Sequence, residues 1–84
     1  MQEMSTQITD MDNDTLGGRI SLARDAVALS VEESAAVIGV EQTTWINWEN
    51  DRSAPRSNRL DMLAGILRVS PCWLLSGQGH GPGY

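Results

Sequence analysis

Lysine is absent from this sequence, so its positive charge is six arginines set against eleven acids, a formal net charge of −5. That is the wrong sign for a protein that coats nucleic acid through bulk charge. One cysteine, Cys72, excludes an internal disulfide framework and a Cys-rich zinc site, and reads as a small buried hydrophobe with a reduced thiol. One histidine, His80, sits among glycines without a ligand partner or nucleophile at useful spacing, so no metal or cofactor is expected. No stretch approaches the roughly 18 consecutive apolar residues of a membrane span, and no basic, apolar signal opens the chain. A cytoplasmic protein is the expectation. A Gly-rich phosphate loop, a His-containing triad and a pair of carboxylates framed by a pocket are also missing. About 63 residues of folding sequence leave little room for a substrate cleft, so neither catalysis nor a small-molecule substrate is expected.

Eighty-four residues can build one hydrophobic core. Glu3, Asp10, Asp12 and Asp14 precede Thr15, which leaves six arginines against seven acids in 15–84. Contact with a polyanion would then rest on local clustering. Residues 1–14 are polar, acidic and aperiodic and read as a disordered leader. Four glycines and a proline in the last eight residues make 78–84 a flexible tail. The domain is expected over 15–77.

Within it, Leu16, Ile20, Ala23 and Val27 share one helical face, predicting a helix over about 15–28 capped by Asp14 or Thr15. Ser30 followed by Glu33 is a capping box, and Gly39 closes a helix over about 31–38. Trp45 and Trp48 lie three apart on a helix over about 42–50, with Gln42, Thr43, Ile46 and Asn47 on the opposite arc. Asn50 to Arg56 reads as a loop. Ser57 is a cap for a helix over about 58–68 bearing Leu60, Leu63, Ala64 and Leu67. Ser70-Pro71 opens a last short turn that Ser76-Gly77 ends. The prediction is all-α, five helices, with no strand signal, internal repeat or heptad run.

The second and third helices form a helix-turn-helix pattern. Ala35 allows close crossing, Gly39 makes the turn, and Ile38, Val40, Trp45 and Trp48 hold both helices to the body. This frees the outer start of the third helix, whose Gln42, Thr43 and Asn47 carry donors and acceptors suited to base edges. Together with Arg19-Ile20, Ala23-Arg24, Leu29-Ser30, Trp48-Glu49-Asn50, Arg52, Pro55, Leu60, Leu63-Ala64, Val69-Ser70 and Trp73-Leu74-Leu75, the pattern resembles the Cro and phage-repressor type of helix-turn-helix regulator, the lambda-repressor-like or XRE family. The resemblance covers about Leu16 to Gly77. It implies a five-helix domain that binds operators as a homodimer on double-stranded DNA through the third helix. It assigns base reading to Gln42, Thr43 and Asn47, and phosphate or minor-groove contact to Arg52, Arg56 and Arg59. It also implies a structural ion pair between Arg24 and Glu49, and a dimer contact around Trp73, Leu74 and Leu75.

Three departures from that family pattern matter. Val31 stands where a phosphate-touching glutamine is common, and Glu41 stands where a Ser or Thr usually caps the third helix and faces phosphate. These two substitutions open a second reading, a protein-interaction module of antitoxin or antiactivator kind whose DNA face has weakened. Ser34 and Trp45 replace two aliphatics and read as an exchange of volume across one contact. Replacing Trp45 alone by Ile is expected to leave a cavity and lower stability by about 2 kcal/mol or more, seen as a fall in melting temperature by circular dichroism.

Overall fold

The computed structural model describes residues 15–83, so the acidic leader with its candidate cap Asp14, and Tyr84, lie outside the described residues. Five helices account for all the regular structure among them: α1 Leu16–Ala26, α2 Val31–Ile38, α3 Gln42–Glu49, α4 Ser57–Leu67 and α5 Pro71–Ser76. Three start where a side-chain cap is available. Thr15 accepts from the Gly18 amide, Ser30 and Glu33 form the reciprocal capping box, and Ser70 accepts from the Trp73 amide ahead of Pro71. Gly39 and Gly77 end α2 and α5 at φ of 86° and 82°, left-handed values that cost a glycine little.

The other three ends depart from expectation for one reason, the use of left-handed backbone at residues with a Cβ. Ala28, Asp51 and Arg68 sit at φ of 59°, 61° and 60°. At Ala28 the amide of Leu29 turns back to the Arg24 carbonyl, so α1 stops at Ala26 rather than 28. At Asp51 the Arg52 amide reaches the Asn47 carbonyl, closing α3 in the same way. The start of α4 is also shifted: the Leu60 amide donates to the Arg56 carbonyl at 2.8 Å, so extended Arg56 is the cap and Ser57 is already helical.

The core is one cluster in which α1 packs on α3, α4 and α5, and α2 packs on α3 and α4. Ile20, Ala23, Ala35, Ile38, Trp45, Trp48, Leu60, Leu63, Leu67, Trp73 and Leu74 are all buried. Removing such apolar area from water is the principal force holding a chain this small together. The Trp45 and Trp48 rings lie 5.7 Å apart and tilted by 52°, a favourable aromatic geometry. Ser34 and Trp45 are both fully enclosed, and the Ser34 Oγ has no hydrogen-bond partner among the described residues. Cys72 corrects the sequence reading: it is exposed, because α5 turns its neighbours Trp73 and Leu74 inward.

The glycine-rich end is not loose throughout 78–83. The segment forms neither helix nor strand, yet it folds back over α5, with the Ser70 amide donating to the His80 carbonyl at 2.9 Å. A Cβ on Gly81 would stand 2.8 Å from Trp73 Nε1, so the absence of a side chain there lets the backbone lie on the indole.

Gly17 marks a close approach between α1 and the end of α3. A Cβ at this position would fall 2.5 Å from the carbonyl oxygens of both Trp48 and Glu49. Only backbone can therefore fill the junction between the start of α1 and the end of α3. Replacing Gly17 by Ala is expected to lower stability by about 3 kcal/mol, because the clash is with backbone that cannot swing away; chemical denaturation followed by circular dichroism measures it.

Candidate nucleic-acid interface

The third helix has two tryptophans on its inward side and, Ile46 apart, polar residues on its outward side. Gln42 and Thr43 are exposed, Asn47 is half-buried, and all three lie opposite Trp45 and Trp48. The structure thus gathers the three predicted readers on one accessible arc. Two open grooves run beside it. One, of about 450 Å³, is lined by Ala35, Ala36 and Val40 with Glu32 and Glu41. The other, of about 420 Å³, is bounded by Thr44, Trp48, Pro55, Arg56 and Arg59.

The charges flanking α3 are therefore unequal. Arg52 and Arg56 are exposed after the helix, and no side-chain partner holds either among the described residues. Arg59 is half-buried and differs from them in being partly committed. Its Nη1 donates to the Ile38 carbonyl at 2.8 Å, satisfying an end carbonyl of α2 and tying α4 to the helix-turn-helix unit. On the opposite side Glu41 begins α3 without forming a side-chain cap, so the first amides of α3 lack that partner and an exposed carboxylate stands beside them. Val31 packs against the core instead of reaching outward.

What sets the angle of α3 is a polar joint with α1. Arg24 Nε donates to Glu49 Oε2 at 2.5 Å and Arg24 Nη2 to Glu49 Oε1 at 3.2 Å, a forked pair with both side chains mostly shielded. Trp45 Nε1 donates to the same Glu49 Oε2 at 2.6 Å, and Arg24 Nη1 reaches the Leu29 carbonyl at 2.8 Å. The hydrogen bond and charge of Glu49 raise the Arg24 pKa above its ordinary value against the opposing effect of burial, so this guanidinium stays charged across the working pH range. Arg24 points into the joint rather than outward.

Three residues that matter here were not assigned these roles in the sequence. Asp51, in its left-handed conformation, accepts from the Gly17 amide at 2.9 Å and so ties the end of α3 to the start of α1. Gly17 provides the space for that contact. Arg19 is buried and donates to the carbonyls of Leu74 and Leu75 at 2.7 and 3.0 Å, clasping α5. Its signal was legible as an arginine three residues after Leu16 and four before Ala23, on the apolar side of α1. The expected dimer contact also divides. Trp73 and Leu74 are sealed in the core, whereas Leu75 is 61% exposed, so only Leu75 of the three faces outward.

Among the described residues no helix is long and apolar enough to cross a membrane, and no three His, Cys, Asp or Glu side chains cluster to hold a metal ion. The α1–α3 joint generates a direct expectation. Glu49→Ala strands the Arg24 guanidinium and the Trp45 indole N–H together, and is expected to lower stability by about 3 kcal/mol, read by urea denaturation. Glu49→Gln, which keeps an acceptor, is expected to lose less.

No protein-family model matches the sequence, and a search of curated proteins finds no significant match. Among solved structures the chain is similar to the crystal structure of the P22 c2 repressor protein in complex with synthetic operator 9T in the presence of Tl+. The likeness has a TM-score of 0.73 at 26% identity, covering 76% of this chain and 97% of the repressor chain. Five helices in this arrangement, a glycine turn between α2 and α3 and that structural likeness together identify the chain as having the lambda-repressor-like helix-turn-helix fold, of the Cro and phage-repressor type.

Proposed function

We propose that this chain is a sequence-specific DNA-binding transcriptional regulator of the cytoplasm that inserts α3 into the major groove as a homodimer. The observation that carries this reading is the outward arc of exposed Gln42 and Thr43 with half-buried Asn47, on a helix whose opposite side is locked to the body, in a fold shared with a repressor solved on its operator. Amide and hydroxyl groups at these positions offer paired donors and acceptors to base edges, which the major groove displays in a pattern distinct for each base pair. Arg52 and Arg56 supply phosphate contact, and Arg59 contributes through the part of its guanidinium not held by Ile38. The dimer forms around exposed Leu75.

One observation favours the second reading, a protein-interaction module. Glu32 and Glu41 line the groove beside the start of α3 and would face the phosphate backbone. Like charges so placed weaken attraction to a duplex but suit a protein partner that presents cations there.

Selection of bound sequences from random DNA, followed by mobility shift across a salt series, separates the two. The regulator reading expects an enriched, roughly palindromic sequence and an affinity that falls steeply with salt. Asn47→Ala is expected to relax preference at one position of each half-site. Arg56→Ala is expected to weaken all sequences alike and lower the salt slope by about 1 per site. No complex at any salt concentration would leave the interaction module standing.

A further inference from the structure

On α3 one large apolar side chain remains outside: Ile46, 40% exposed. The other large exposed apolar residues, Val37, Met62 and Leu75, lie on α2, α4 and α5. At about 100° per residue, Gln42, Ile46, Thr43 and Asn47 succeed one another in that order around roughly 140° of the helix. Ile46 therefore lies within the polar arc, between Gln42 and Thr43, and not at its edge with the core.

We propose that Ile46 is a fourth specificity-determining residue, selecting a base pair by contact with the C5 methyl group of thymine. The inference rests on the DNA-binding reading above. An isoleucine can neither donate nor accept, so it cannot read the nitrogen and oxygen atoms of base edges. Among the four base pairs the thymine methyl is the one apolar group displayed in the major groove. With Gln42 on one side and Thr43 on the other, insertion of this arc brings Ile46 to the groove floor along with them. Contact there removes apolar surface of both partners from water, whereas a polar base edge opposite Ile46 would lose its hydration without gaining a partner. The discrimination follows from shape and solvation, with no hydrogen bond required.

The test replaces single thymines of the selected half-site by deoxyuridine, which deletes only the methyl group, and measures the dissociation constant of the full chain by mobility shift. One thymine is expected to show about fourfold weaker binding on replacement, the value of one buried methyl-sized group. That loss is expected to vanish in Ile46→Ala, which binds the thymine and uracil sites equally, and to persist in part in Ile46→Val. Because Ile46 is outside the core, Ile46→Ala should melt within about 2 °C of the parent, so a change in binding is not a change in folding. Equal uracil penalties in the parent and Ile46→Ala, or a selected half-site with no A·T pair beneath α3, overturn the inference while DNA binding stands. Failure of the parent chain to enrich any sequence overturns both together.

Discussion

The Glu49 carboxylate accepts from the forked guanidinium of Arg24 on α1 and from the Trp45 indole on its own helix, in a site nearly closed to water. Each partner would be expensive to leave alone. A guanidinium buried without an anion, or an indole N–H without an acceptor, costs more than the joined pair gains, so the three groups enforce one arrangement. That arrangement fixes the roll of α3 about its axis, because Trp45 and Glu49 are one turn apart on the same helix. A short distance away Gly17 lets the start of α1 rest on the carbonyls that end α3, and Asp51 ties the two with a hydrogen bond. The helix is held at its middle and at its end, and its outer arc is left with nothing to do inside the protein.

A chain with net charge −5 meets a polyanion only if its cations are placed and its acids are kept away. The fold partly achieves this. Arg24 and Arg19 are turned inward to hold α3 and α5, and Arg59 is shared with the end of α2, which leaves Arg52 and Arg56 as the exposed cations between α3 and α4, with exposed Arg68 at the far end of α4. It does not remove the acids, since Glu32 and Glu41 line the groove that Gln42 and Thr43 also border. An interface with so few cations draws less on nonspecific attraction, and therefore depends more on how well the outer arc of α3 fits its partner.

The end of the domain uses short-range devices rather than bulk. Helix α5 has only six residues, too few to persist alone, and it is kept by Ser70 and Pro71 at its start, Arg19 on its last carbonyls and the glycine segment laid over Trp73. Trp73 and Leu74 are consumed by this closure. What remains outward at this end, Leu75 with exposed Cys72 nearby, is small.

Sequence by itself determined the all-α architecture, the starts of α1, α2 and α5, and the ends of α2 and α5, because capping side chains and glycines act on their own neighbours and their effect is local. It also placed Gln42, Thr43 and Asn47 opposite two tryptophans, since helical periodicity alone separates a wet side from a dry one. Tertiary structure decided what depends on residues far apart in the chain. Left-handed backbone at Ala28, Asp51 and Arg68 is unfavourable locally and survives because packing over-determines it. The burial of Arg19, the clearance at Gly17, the diversion of Arg59 to Ile38 and the division of Leu75 from Trp73 and Leu74 likewise follow from which surfaces meet, and a one-dimensional pattern carries no record of distance across the core.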